Sequence, residues 1–188
     1  MIYLDNAATS FPKPDTVGRA VSGVIARLAA NPGRSGHRLS LAAGRIVMNC
    51  RKALAEILCV PEPERVLFCF NCTDALNLAI FGLLSPGDHV IATALDHNAS
   101  LRPLFGLRER GVITLTILDP EGDAITAQQV RDAIMENTRL VVCSHASNVT
   151  GAVQPVAAIG AEAKLFQLSY RYVPQLSRQM ARLDLNEL

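Results

Sequence analysis

The chain has 188 residues, 49% of them hydrophobic, enough apolar material for one domain or for one domain and part of a second. Eighteen basic and seventeen acidic side chains leave a formal net charge of +1, so nothing electrostatic favours nucleic acid or an anionic membrane as partner. The start, Met1-Ile2-Tyr3-Leu4-Asp5-Asn6, lacks the basic-then-apolar pattern of a secretory leader, and no run approaches the ~20 apolar residues of a membrane span. Five cysteines at irregular spacing suit a reducing compartment, and a cytoplasmic location is expected.

In chain order, Val17, Ala20, Val21, Val24, Ile25 and Leu28 recur at helical spacing and predict an amphipathic helix. A longer helix carries Ala43, Ile46, Val47, Cys50, Leu54, Ile57 and Leu58 on one face. The run Val66-Leu67-Phe68-Cys69-Phe70 predicts a buried strand. Residues 71–84 read as the following helix, with Asn71 as N-cap and Asp74 in the first turn. Ser85-Pro86-Gly87-Asp88 breaks it, and residues 89–93 form the next strand. A helix over 101–110 ends at Gly111, and residues 112–118 are a strand by their alternating, β-branched pattern. Thr126 and Gln129 make a capping box for another helix, and residues 139–144 hold the strand core Leu140-Val141-Val142-Cys143.

This rhythm predicts an α/β fold, a largely parallel sheet flanked by helices on both faces, preceded by an N-terminal helical arm. The expected divisions are 1–60 for the arm and its helices, 61–164 for the α/β domain, and 165–188 for an atypical tail. Right-handed crossovers place the strand-to-helix loops along one sheet edge, where ligands bind in such folds.

Four loops could carry chemistry. Asn71-Cys72-Thr73-Asp74 opens a helix, and its free N–H groups with the Thr73 hydroxyl could cradle a phosphate; an ordinary capped helix has the same pattern. His97, in Asp96-His97-Asn98-Ala99-Ser100, could stack on an aromatic ring or move a proton, or simply bond the backbone. His145-Ala146-Ser147-Asn148-Val149-Thr150-Gly151 crowds polar groups at a strand's carboxyl end, as a ligand loop or a plain turn. Asn31 to Arg38 is too polar for a core, and reads as a solvated connection or as a lid or subunit contact. Cys69 and Cys72 form a C-x-x-C with no second pair, so no metal is expected.

Taken in order, six strings resemble the cysteine desulfurase branch of the class V aminotransferases. They are Tyr3-Leu4-Asp5-Asn6-Ala7-Ala8-Thr9, the loop from Asn31 to Ser40, Asn71-Cys72-Thr73-Asp74-Ala75-Leu76-Asn77, Pro86-Gly87-Asp88, Asp96-His97-Asn98 and Ser147-Asn148-Val149-Thr150-Gly151. The resemblance implies the aspartate-aminotransferase-type fold, a homodimer, pyridoxal 5'-phosphate (PLP) as cofactor, and cysteine or a related amino acid as substrate in sulfur metabolism. It assigns Cys72 (through its backbone N–H) and Thr73 to the cofactor phosphate, His97 to stacking on the pyridine ring, and Asn148 to the cofactor's hydroxyl side. Cys72-Thr73-Asp74 stands where the family usually has Ala-Thr-Glu, and Asp96 where Glu is commoner.

The family also needs a Schiff-base lysine after a Ser-x-His, and an Asp on the next strand to pair with the pyridinium nitrogen. Of the chain's lysines, Lys13 lies between prolines, Lys52 on a helix, and Lys164 near the tail; none follows a histidine. Val173 and Leu176 fall about where the family's Asp and Gln belong, and Pro174 would remove a ladder N–H. Residues 165–182 read as a shifted frame, with the family pattern returning at Leu183-Asp184-Leu185-Asn186-Glu187-Leu188. The expectation is therefore an incomplete chain that stops before the catalytic lysine, is inactive alone, and does not hold PLP covalently. None of the five cysteines matches the family's persulfide carrier. The alternative is a non-catalytic binding or interaction module that associates with a full-length partner.

Overall fold

The computed structural model describes residues 2–6, 8–33 and 36–165. They fall into two compact units, divided between Leu67 and Phe68.

The first unit contains α1 (Asp15–Leu28) and α2 (Arg38–Leu58), which pack on each other, and a 3-10 turn at Pro63–Arg65 that packs on α2. Both helices follow the apolar spacing, but Val17, Val21 and Ile25 of α1 remain exposed. The α2 face is likewise only partly covered: Ala43 is buried while Ile46 and Ile57 are exposed. The start of α2 is capped by His37, whose Nδ1 accepts the Ser40 N–H at 3.2 Å. The buried Ser40 hydroxyl donates to the Asn31 carbonyl at 2.8 Å, tying the preceding polar loop back to the helix.

The strand expected at 66–70 does not form. Among the described residues no strand pairs with it, and Phe70 is wholly exposed, with Leu67 and Phe68 close to half exposed or more. An apolar run supplies the tendency to be buried, but a strand also needs a neighbour to take its N–H and C=O groups. That neighbour is not among these residues.

The second unit runs α3 (Cys72–Leu83), β1 (His89–Thr93), α4 (Asn98–Glu109), β2 (Thr114–Leu118), α5 (Ala127–Ala133), β3 (Thr138–Val141) and α6 (Val156–Leu165). The expected strands at 89–93, 112–118 and 139–144 are present, the last two with shifted ends. The sheet is parallel in the order β2-β1-β3, with His89 opposite Thr114 on one side and Thr138 on the other. The β1-to-β2 step moves one way along the sheet and the β2-to-β3 step moves back across it. Right-handed crossovers then put α4 and α5 on opposite faces. The core follows that division. Ile80, Val90, Ala92, Leu104, Leu107 and Ile113 form one cluster, and Ile125, Val130 and Ile159 another, with Leu118, Ile134 and Val141 against it.

All five residues of β1 are buried, including His89. Its Nδ1 lies 2.8 Å from the Thr138 hydroxyl and its Nε2 2.9 Å from the Thr116 hydroxyl, so one imidazole spans all three strands. The Thr138 oxygen also accepts the Met135 N–H at 2.7 Å, which suits it to give its own proton to Nδ1. The ring is then a neutral Nε2–H tautomer donating to Thr116, and burial lowers its pKa from the ordinary 6.5.

Candidate functional site

The first turn of α3 is built by its own sequence. Asn71 is the N-cap, its side chain accepting the Asp74 N–H at 2.8 Å, while the Asp74 carboxylate accepts the Phe70 N–H at 3.3 Å. Asn77 donates back to the Thr73 carbonyl at 2.7 Å. The N–H groups of Cys72 and Thr73 have no acceptor within the helix, as geometry requires of a first turn, and they lie at the positive end of its dipole. Both residues are exposed.

The segment 96–100, read from sequence as a loop, instead opens α4 at Asn98, because His97 itself caps the helix. Its Nδ1 accepts the Ala99 N–H at 3.0 Å, so in the neutral ring the proton sits on Nε2. The preceding Asp96 is buried, with both carboxylate oxygens engaged by Thr93 and Ser144.

Between α3 and α4 lies a pocket of about 380 Å3, lined by Thr73 and Asn77 from one helix and His97, Asn98, Arg102 and Pro103 from the other. Two helix N-termini and the Arg102 guanidinium bring positive potential to it, which suits an anionic group. The pocket thus joins two of the residues picked out in sequence, Thr73 and His97. Cys72 adjoins it as the first residue of α3 without being part of its wall.

Asn148 is exposed and does not line this pocket. It sits in a short returning loop after β3, closed by Ser147 N–H to Ala152 O at 2.9 Å and Gln154 N–H to His145 O at 2.8 Å. The Ser147 hydroxyl accepts the N–H groups of Val149 and Thr150, each at 3.3 Å, and so shapes the turn around Asn148. Beside this loop, Cys143 is half-buried, and burial aided by the Asp96 charge pushes its thiol up to about 12.

Asn77, Asn98 and Arg102 also line the pocket, although the sequence assigns none of them a role. Their signal was present as helical spacing: Asn77 is one turn beyond Thr73, and Arg102 one turn beyond Asn98. Lys13 and Lys52 belong to the first unit and Lys164 is exposed at the end of α6; none lines the pocket. Among the described residues no group of three or more His, Cys, Asp or Glu could hold a metal ion, and no helix is long and apolar enough to cross a membrane.

The family pattern described as Aminotransferase class-V matches residues 2–168. The chain belongs to this family. It is 35% identical over 160 residues to a probable cysteine desulfurase of Methanothermobacter thermautotrophicus, covering 85% of this chain and 40% of that protein. It is 38% identical over 164 residues to a probable cysteine desulfurase of Pseudomonas aeruginosa, with 85% and 40% covered. Among solved structures, the apo cysteine desulfurase of Thermococcus onnurineus NA1 superposes with a TM-score of 0.80 at 29% identity, over 89% of this chain and 42% of that one. SspA in complex with cysteine gives 0.80 at 29%, over 89% and 49%. The chain spans about 40% of the length of these curated relatives. Within the class V family, then, these residues build an N-terminal portion of the α/β fold of the PLP-dependent cysteine desulfurases. The sequence expectations for the missing Asp and for a shifted frame concern residues 165–182, which apart from Leu165 lie outside the described ones.

Proposed function

We propose that this chain supplies the phosphate-binding part of a PLP-dependent enzyme of the cysteine desulfurase type, acts on cysteine or a related amino acid only as part of a more complete assembly, and has no turnover by itself. The observation that carries this reading is the shared pocket of Thr73 and His97. The cofactor's phosphate fits the first turn of α3, with the Cys72 and Thr73 N–H groups and the Thr73 hydroxyl as donors, and Arg102 adds a cation on the facing helix. The His97 ring offers a flat face for the pyridine, its tautomer held by the Ala99 N–H. Asn148 would meet the cofactor's hydroxyl side from the loop after β3. PLP supplies an electron-withdrawing ring when it is bound. In the family a lysine amine and a carboxylate partner complete its chemistry, and the described residues that line the pocket include neither.

The test is a PLP titration of the chain followed by visible spectra, then borohydride reduction and peptide mapping. The expected result is reversible binding that depends on the phosphate, no lysine labelled selectively, and no sulfur release from cysteine. One reducible lysine with cysteine turnover would overturn the inactivity; absence of phosphate-dependent binding would overturn the site.

A second reading is favoured by the exposed apolar side chains of Phe70, Leu78 and Phe81 around α3. A non-catalytic module that associates with a full-length, cytoplasmic homodimeric relative would cover such a surface. Co-expression with such a relative, followed by purification of a mixed complex, supports it; separate elution of the two chains counts against it.

A further inference from the structure

We infer that Asp96 is a positioning residue that holds the His97 and Asn148 loops as one unit, by joining the carboxyl ends of β1 and β3 through its buried side chain. The inference rests on the PLP reading of the pocket for its functional meaning. The contact itself rests on geometry. Oδ2 accepts the Thr93 N–H at 3.0 Å and the Thr93 hydroxyl at 2.8 Å, at the end of β1. Oδ1 accepts the Ser144 N–H at 2.7 Å and the Ser144 hydroxyl at 2.8 Å, across 48 residues of chain. The residue is 8% exposed, and none of these four donors is a cation.

A buried carboxylate is costly unless donors fill its lone pairs, and here the donors come from the end of β1 and from the segment that follows β3. The ladder between these strands ends with the Val142 N–H on the Ile91 carbonyl at 2.8 Å. Beyond that point Asp96 provides the link. His97 follows it directly in the chain, so the anchor sets where α4 begins and where the imidazole stands. Ser144 precedes Ser147, whose hydroxyl organises the turn bearing Asn148. Only a carboxylate serves both ends. The Thr93 and Ser144 hydroxyls can rotate, but their backbone N–H groups are fixed donors, and an Asn amide has one acceptor oxygen for two of them. Asp96→Asn therefore keeps the volume and unmatches one strand end.

The experiment compares the full chain with Asp96→Asn and Ser144→Ala. It reads amide hydrogen exchange, the His97 ring nitrogens by long-range 15N NMR, and PLP affinity by absorbance. For Asp96→Asn we expect exchange at Ser144 and Ala99 to rise about tenfold or more, a mixture of His97 tautomers, and about tenfold weaker PLP binding, as for loss of a bond to a charged group. Ser144→Ala keeps the backbone donor and should shift the same readouts less, which preserves the test if the Asn variant does not fold. Amides of Val90, Ile91 and Ala92 should hold their protection in either variant. Equal acceleration there would show a purely structural role and overturn the inference, as would unchanged His97 signals. If the unaltered chain binds no PLP, the functional reading fails, while the exchange and ring signals still decide whether Asp96 couples the loops.

Discussion

The side-chain oxygen of Gln154 accepts the buried backbone N–H of Ile125 at 2.8 Å, across 29 residues of chain. Ile125 lies just before α5, and Gln154 just before α6, so one amide pins the approaches of both helices that cover this face of the sheet. Removing it strands a buried N–H, which costs about 1–3 kcal/mol. Gln154→Leu should lower unfolding stability by about that amount, read from urea midpoints. A change below a few tenths of a kcal/mol would mean that water or a shifted backbone meets Ile125 instead.

His89 makes the sheet sensitive to acid. Its pKa is lowered by burial, so the unfolded chain takes up the proton first as pH falls. The stability of the neutral clasp is complete above the ordinary value of 6.5 and is lost as pH drops from there through the lowered folded value. Urea midpoints measured from about pH 7.5 down to about pH 5 should fall more steeply for the natural chain than for His89→Gln. Parallel curves would sink the assignment.

Thr73→Val keeps the shape of the side chain and deletes its hydroxyl donor. A hydrogen bond to a charged group is worth roughly 1.5–3 kcal/mol, so PLP affinity should fall about tenfold to a hundredfold. Pyridoxal, which lacks the phosphate, should bind both forms alike. Equal losses for the two ligands would place the phosphate elsewhere.

Thiol reactivity should divide by burial. Cys50, Cys59 and Cys72 are exposed, whereas the Cys143 thiol is pushed up to about 12 by burial and by the Asp96 charge. Iodoacetamide at about pH 8 should label the exposed three in the folded chain and reach Cys143 only after denaturation. PLP should slow labelling at Cys72 if its N–H group receives the phosphate. Rapid labelling of Cys143 in the folded chain would contradict its placement.

Much was legible from local pattern, because the causes were local. Asn71 with Asp74 and Thr126 with Gln129 cap α3 and α5 as their side-chain chemistry predicts, with the Thr126 N–H on the Gln129 oxygen at 2.8 Å. Strand β1 has the bounds its apolar run predicts, and Gly111 takes the left-handed conformation, φ +69, just beyond α4. Order along the chain also carried the family resemblance, since a series of motifs constrains far more than any one of them.

What sequence could not decide was long-range. Whether Val66 to Phe70 becomes a strand depends on a partner distant in the chain, and no alternation within the run reports one. Whether Thr73 and His97 share a pocket depends on α3 and α4 packing side by side, which also brings in Arg102. The Asp96 carboxylate looks in sequence like one more polar loop residue; only folding sets Ser144 against it. Caps and periodicity are short-range properties of adjacent residues, while sheet pairing and pockets arise from segments tens of residues apart, and those the tertiary structure alone determined.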